Sequence, residues 1–142
     1  MKTIKILLVG CMLLFTANVK AQDASAQLIK LMDEATVAWN KGNLDGYMAL
    51  YSPKATMMMT TGRSGLASIR DLYVKYYFEG GKPKQELNYA NYEVTMLGKD
   101  NALLTGIFIL KANDKLKERK GTFSVIFTRE KDGWKILHDH SG

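Results

Sequence analysis

The apolar residues of this chain have mostly the spacing of a helix in the first half of the sequence and the spacing of a strand in the second half. Leu28, Met32, Ala35 and Trp39 recur at helical intervals and predict a helix over about residues 25–41. From residue 87 onward the pattern is that of β-strands. Helices followed by antiparallel strands define an α+β domain whose helices pack on one face of a curved sheet.

The remaining elements follow from the same patterns and from turn residues. Gly42 stops the first helix, a second is predicted from Leu44 to Tyr51 with Pro53 ending it, and a third from Leu66 to Tyr77. The other predicted segments are strands at 55–60, 87–97, 102–110, 122–129 and 134–141, a turn at 62–65, and an exposed hairpin tip at 111–120. The segment 102–110 is apolar apart from Thr105, which predicts a strand buried on both faces.

The N-terminal residues have the composition of a targeting segment. Two lysines precede an apolar stretch at residues 6–15, and Val19 and Ala21 stand where a signal peptidase reads small residues. We expect residues 1–21 to be a signal peptide, a mature chain that begins at Gln22, and an exported protein, periplasmic or secreted. The mature domain then covers residues 22–142.

Cys11 offers an alternative for the same segment. It follows Leu8, Val9 and Gly10 as in a bacterial lipobox, where the cysteine becomes a lipid anchor. The apolar stretch continues past it, which favours ordinary cleavage. On that reading the mature chain has no cysteine, so neither disulfides nor thiol catalysis are expected.

Charge and length limit the partners of the mature domain. Removal of residues 1–21 takes away three lysines and no acid, so the net charge falls from +6 to +3. This mild balance predicts no nucleic-acid partner. No later segment is apolar over the roughly 20 residues that a membrane span needs. The basic residues of the hairpin tip (Lys115, Lys117, Arg119 and Lys120) alternate with acids and indicate a solvated loop.

The last predicted strand carries both histidines of the chain. His138 and His140 stand two apart, so their rings share a face, and with a carboxylate such as Glu93 they could hold zinc. Without cysteines or a further histidine, hydrogen bonding or an interface role is favoured over a metal site. We expect no metal and no cofactor.

Asp139 lies between the histidines and points to the opposite face. On the concave face its carboxylate would be desolvated and could act as a general acid or base with His138 or His140. On the convex face it would be an exposed carboxylate paired with a residue such as Lys135. Trp134 and Ile136 favour the histidine face as the packed one, whereas Leu137 favours the other, so the alternation of residues leaves the inward face open.

Aromatic and methionine side chains form a second candidate site. Such residues adapt to flat or apolar ligands, but a filled core uses the same residues at the same spacing. The candidate pocket residues are Trp39, Tyr47, Tyr51, Met57, Met59, Tyr73, Tyr77 and Val125.

Several segments resemble a known superfamily. The segments 38–46, 49–51, 55–56 and 65–70 are similar to the N-terminal half of NTF2-like proteins, in particular the SnoaL-like and ketosteroid-isomerase-like branch. The ending at 132–141 is similar to that branch and to the association domain of calmodulin-dependent kinase II. The resemblance implies a cystatin-like cone in which a strongly curved antiparallel sheet wraps around the helices and encloses a pocket. Family members include isomerases, dehydratases, cyclases, and proteins that only bind or assemble.

The catalytic residues of ketosteroid isomerases are not found at the matching positions. The catalytic tyrosine of that family corresponds to Ala35, its general base to Met59, and its second acid to Val125 or Ser124. The resemblance therefore implies no ketosteroid isomerase activity. If Ser124 is the matching residue, its hydroxyl could at most donate a neutral hydrogen bond.

Three functions are compatible with these residues. The favoured one is an exported protein that binds an apolar or aromatic small molecule and forms a homodimer through a mixed strand face, Thr122, Ser124, Ile126 and Thr128. The second is an isomerase, dehydratase or cyclase that uses Asp139 with His138 or His140. The third is an assembly domain without a ligand.

Overall fold

The computed structural model describes residues 22–142 as three helices and eight strands. Predictions on residues 1–21, including the signal peptide and Cys11, lie outside the described part. Helix α1 covers residues 22–40, α2 Leu44–Met48 and α3 Leu66–Tyr76. The strands are β1 Tyr51–Met59, β2 Gly62–Gly65, β3 Phe78–Glu79, β4 Lys82–Pro83, β5 Leu87–Met96, β6 Asn101–Leu110, β7 Arg119–Glu130 and β8 Gly133–Ser141.

Six of these strands form one curved sheet in the order β2-β1-β8-β7-β6-β5, and β3 pairs with β4 in a separate hairpin. The α+β architecture predicted from the change of period is confirmed. Its core lies between the helices and one sheet face, and contains Leu28 of α1, Ile69 of α3, Leu104 of β6 and Phe127 of β7, each almost without solvent exposure. Burial of such apolar side chains is the main source of stability in a domain of this size.

The sheet is not antiparallel throughout, because β1 and β8 pair in parallel. Parallel neighbours need a long crossover connection, and here α3 and the strands β2–β7 supply it. Residues far apart in the sequence are thereby brought side by side at the centre of the sheet, with Met57 opposite Asp139.

The segment around Pro53 was predicted incorrectly. The second helix ends at Met48 rather than Tyr51, and β1 begins at Tyr51 rather than Ala55. Proline is tolerated within β1 because the register with β8 shifts between Tyr51 and Thr56, so no ladder hydrogen bond is required of Pro53. The predicted turn at residues 62–65 is the short strand β2, which pairs with the end of β1.

Strand β6 is buried deeply on one face only, contrary to the prediction. Ala102, Leu104 and Leu110 are buried, while Leu103 and Ile107 on the other face are half-exposed. Side chains of a strand alternate between faces, so β6 contributes apolar residues to both. We call the half-exposed face of β6 and β7, opposite the helices, the outer sheet face. It carries Leu103, Thr105 and Ile107 of β6 and Ser124, Ile126 and Thr128 of β7.

Candidate functional site

A cavity of about 490 Å³ lies between the helices and the concave face of the sheet. That volume is within the range of small-molecule sites. Its wall is mostly aromatic and aliphatic, and every pocket residue named from the sequence borders it: Trp39, Tyr47, Tyr51, Met57, Met59, Tyr73, Tyr77 and Val125. Most of these residues also belong to the buried core, so they pack against one another as well as bordering the cavity.

The aromatic wall begins on α1 and α3. Trp39 packs edge-on against Tyr47, Tyr73 and Tyr77, with ring centroids 4.9, 5.4 and 6.0 Å away. Aromatic rings favour this edge-to-face geometry because the positive edge of one ring meets the negative face of the next. The helical spacing of Tyr73 and Tyr77 places both rings on the side of α3 that faces the cavity.

The polar end of the cavity is formed by Asp139, which is only 4% exposed. The phenolic oxygen of Tyr51 donates a hydrogen bond to its Oδ2 at 2.6 Å, and Oγ of Ser141 donates to Oδ1 at 3.0 Å. Tyr51 and Tyr73 share a further hydrogen bond of 2.9 Å between their hydroxyl oxygens. The result is a buried hydroxyl chain that ends on a carboxylate.

An irregularity in β8 turns Asp139 inward. Phe127 pairs with Ile136 and Ile126 with His138, so Leu137 is an extra residue between the two pairs. A bulge of this kind reverses the alternation of side chains beyond it. Ile136 and Asp139 therefore share the concave face, which decides the orientation that the sequence left open: the histidines do not share the face of Trp134 and Ile136. The alternative of an exposed Asp139 is also excluded.

Burial controls the proton equilibria of these groups. Desolvation raises the pKa of Asp139, and the hydrogen bonds from Tyr51 and Ser141 lower it in part, as do charges on His138 and His140. Burial, followed by the neighbouring carboxylate, raises the pKa of Tyr51 well above its usual range. The Tyr51 hydroxyl therefore keeps its proton and can donate it in a hydrogen bond.

The two histidines are placed differently from Asp139. Nδ1 of His138 is 2.8 Å from Oγ1 of Thr56, and the residue does not border the cavity. His140 is exposed at the cavity rim. Glu93 lies on β5, three strands away from β8 in the sheet, so the possible zinc set is not brought together. Within residues 22–142, no three His, Cys, Asp or Glu side chains are grouped as a metal site requires.

Tyr89 and Phe123 are cavity residues that the sequence analysis did not single out. The hydroxyl of Tyr89 is 2.9 Å from that of Tyr47, and its ring centroid is 4.9 Å from that of Phe123. In the sequence, Phe123 and Val125 are two apart in a strand pattern, so both were expected on the same face. Tyr89 gave no comparable signal, because β5 changes register between Ala90 and Glu93.

The positions that the resemblance matches to ketosteroid isomerase residues also border the cavity, apart from the alternative match Ser124, which lies on the outer sheet face. Ala35, Met59 and Val125 all line the cavity, and none of these side chains has a titratable proton. The basic residues of the hairpin tip are exposed, as expected for a solvated loop. No helix of the described residues is long and apolar enough to cross a membrane.

Comparison with known proteins identifies the architecture. The family model of the calcium/calmodulin-dependent protein kinase II (CaMKII) association domain matches residues 24–142. No curated protein sequence matches the chain significantly.

Solved structures agree with this match. An NTF2-like protein of unknown function from Shewanella oneidensis MR-1 is 26% identical, with a TM-score of 0.73 over 83% of this chain and 98% of that one. The association domain of C. elegans CaMKII is 16% identical, with a TM-score of 0.71 over 86% and 97% of the two chains. A CaMKII hub from S. rosetta is 18% identical, with a TM-score of 0.62 over 81% and 92%. The fold is therefore NTF2-like.

Proposed function

Because the chain belongs to the CaMKII association domain family and has an NTF2-like fold, we propose that it is a self-associating domain that binds a small molecule in its central cavity. The observation that carries the proposal is the aromatic cavity of about 490 Å³ with one buried carboxylate at its polar end. Apolar walls with a few convergent polar groups are typical of ligand sites.

The wall favours a ligand with an aromatic or aliphatic body. Trp39, Tyr73 and Phe123 give rigid surfaces, and Met57 and Met59 have flexible thioether side chains that adapt to irregular shapes. Each methylene that such a ligand removes from water contributes about 0.8 kcal/mol. The polar groups at Asp139 would then set its orientation.

The outer sheet face supports self-association. Leu103 and Ile126 are paired neighbours on adjacent strands, and both are half-exposed on the face that no helix covers. Thr105, Ser124 and Thr128 surround them, which gives the mixed apolar and polar composition of a moderate interface. Related structures described as an association domain and a hub point in the same direction. We propose a homodimer through this face.

Export is part of the proposal. The apolar stretch at residues 6–15 and the small residue at Ala21 support cleavage before Gln22. Intact mass of the protein purified from its own host tests this. We expect the mass of a chain whose first residue is Gln22. An acylated Cys11 in a membrane fraction would contradict the proposed cleavage.

Native mass spectrometry of the same preparation tests subunit number and ligand together. We expect a dimer whose mass exceeds that of two chains by a small molecule, which denaturation releases. A monomer at concentrations well above micromolar would contradict self-association. Absence of a bound molecule, together with no thermal shift across an apolar and aromatic compound set, would contradict the binding function.

A second candidate function rests on the buried carboxylate. Burial raises the pKa of Asp139, which suits a general acid or base near neutral pH, and the cavity would exclude water from the reaction. An isomerase, dehydratase or cyclase with Asp139 as its proton carrier would exchange a ligand C–H proton with deuterated water. Exchange lost in Asp139→Asn but kept in His140→Ala would support Asp139 acting without histidine. Absence of exchange with every bound compound would favour pure binding.

A further inference from the structure

Within the described residues the carboxylate of Asp139 forms no salt bridge, and the two histidines that act on it electrostatically, His138 and His140, are not hydrogen-bonded to it. Its hydrogen-bond partners are two neutral hydroxyls, those of Tyr51 and Ser141. No lysine or arginine belongs to the cavity lining formed by residues 22–142. Buried carboxylates are ordinarily paired with a cation, because desolvation of an isolated charge is costly.

Two hydroxyls lie against the carboxylate of Asp139, one at each oxygen: Tyr51 at Oδ2 and Ser141 at Oδ1. With Asp139 ionised, both hydroxyls donate to it, and the proton in the 2.9 Å contact between Tyr51 and Tyr73 comes from Tyr73. The site can therefore hold an ionised carboxylate once a cation is beside it, because both of its oxygens already have a hydrogen-bond donor.

The imidazole of His140 does not complete the pair. His140 follows Asp139 on the same strand, and adjacent side chains project to opposite faces. It is exposed at the rim and makes no hydrogen bond to the carboxylate among those given for Asp139. The guanidinium of Arg119 lies over the Tyr77 ring at 5.9 Å from its centroid, but Arg119 is exposed and does not border the cavity.

The rest of the wall suits a positive charge with an apolar body. The rings of Trp39, Tyr47, Tyr73 and Tyr77 border the same cavity as Asp139. The faces of such rings carry partial negative charge and attract ammonium groups, most strongly where water is excluded. A carboxylate and several ring faces therefore act on a ligand cation in the same sense.

We propose that the cavity takes a cationic amine with an aromatic or aliphatic body, and that the ammonium group pairs with Asp139 while the body packs on the aromatic wall. This rests on the proposed function as a small-molecule-binding domain and adds the chemical class of the ligand. The ligand supplies the cation that the cavity lining lacks.

Matched ligands test the proposal on the unaltered protein. Isothermal titration calorimetry at pH 7.5 would compare 2-phenylethylamine with 2-phenylethanol, and tryptamine with tryptophol, with 3-phenylpropionate as the anionic counterpart. We expect each amine to bind about tenfold to a hundredfold more tightly than its alcohol, because a hydrogen bond to a charged partner is the stronger one. The anion should bind most weakly.

Two variants then separate the local charge from the overall charge. Asp139→Asn keeps the size of the side chain and removes its charge, so the amine and the alcohol should bind about equally. Asp132→Asn removes the same charge from an exposed turn and should keep the preference of the unaltered protein. Alcohols that bind the unaltered protein as tightly as the amines would overturn the amine proposal and leave the binding function intact. No binding by any of the five compounds would overturn both.

Discussion

The hydroxyl of Tyr51, at the start of β1, lies 2.6 Å from Oδ2 of Asp139, near the end of β8, although 88 positions separate the two residues in the chain. Parallel pairing of β1 with β8 makes this contact possible. It connects the aromatic wall of the cavity to its one buried carboxylate. The chemistry proposed for the cavity depends on it.

Asp139 should make stability depend on pH. Burial raises its pKa in the folded protein, so the folded state binds more protons than the unfolded state between the unfolded pKa, about 3.9, and the raised folded pKa. Its contribution to the free energy of unfolding therefore falls as pH rises through that window, by at most about 1.4 kcal/mol per pH unit. Urea unfolding from pH 4 to pH 8 should show this slope, and Asp139→Asn should reduce it.

His138 and His140 also act electrostatically on Asp139, so the informative quantity is the difference between the unaltered protein and each variant. Asp132→Asn serves as the control with an exposed carboxylate. A difference between the unaltered protein and Asp139→Asn that stays constant across the range would contradict the assigned shift.

Tyr51→Phe should destabilise the protein by about 1–3 kcal/mol, because it removes the donor to Asp139 and leaves buried groups of Asp139 and Tyr73 without that partner. It should also raise the pKa of Asp139 further, since the Tyr51 hydrogen bond lowers it. Tyr76→Phe is the matched control, because Tyr76 is 57% exposed on α3. Equal unfolding free energies for the two variants would refute the role given to Tyr51.

Gly106→Ala should reduce both stability and ligand binding. A β-carbon on Gly106 would lie 2.8 Å from Cε1 of Phe123 and 2.9 Å from the carbonyl oxygen of Ala90. Relief of this overlap moves the Phe123 ring, which borders the cavity, at a cost of about 1–3 kcal/mol. Thermal unfolding and the affinity for a bound compound would measure the two effects. Gly65→Ala, whose β-carbon would meet no atom within 4 Å, should leave ligand binding unchanged.

Ile126→Asp should dissociate the proposed dimer without unfolding its subunits. The new charge would lie on the outer sheet face, beside Leu103, where an interface would bury it without a partner. Light scattering should report the monomer mass, and circular dichroism should be unchanged. Leu116→Asp at the exposed hairpin tip provides the control and should stay dimeric. A dimer that persists in Ile126→Asp would assign the interface to another surface.

Purified protein should not isomerise a β,γ-unsaturated ketosteroid above background. Ala35, Met59 and Val125 border the cavity at the positions that correspond to the catalytic groups, and none can transfer a proton. Loss of a general base or of an oxyanion donor each costs roughly a hundredfold or more in rate. Saturable turnover that survives further purification would contradict this, and alanine substitution of Asp139 and His140 would then locate the activity.

The sequence by itself determined the elements whose periodicity is local. The helical recurrence of Leu28, Met32 and Trp39 predicted α1, and the strand pattern of residues 122–129 predicted β7, since each repeat depends only on neighbouring residues. The packing of Trp39 and Tyr73 against the sheet also followed, because helical apolar faces must be buried there, but the sequence did not decide between a filled core and a cavity.

Only the tertiary structure decided the orientation of Asp139. A period of two predicts a side chain's face only while the ladder is regular, and the extra residue Leu137 inverts the alternation just before Asp139. The position of that bulge depends on how β7 and β1 pair with β8, which are contacts between distant parts of the chain. The same non-local pairing drew Pro53 into a strand and brought Tyr51 to Asp139. Local patterns carry no information about such register shifts, because the free energy that selects them comes from the packing of the whole sheet.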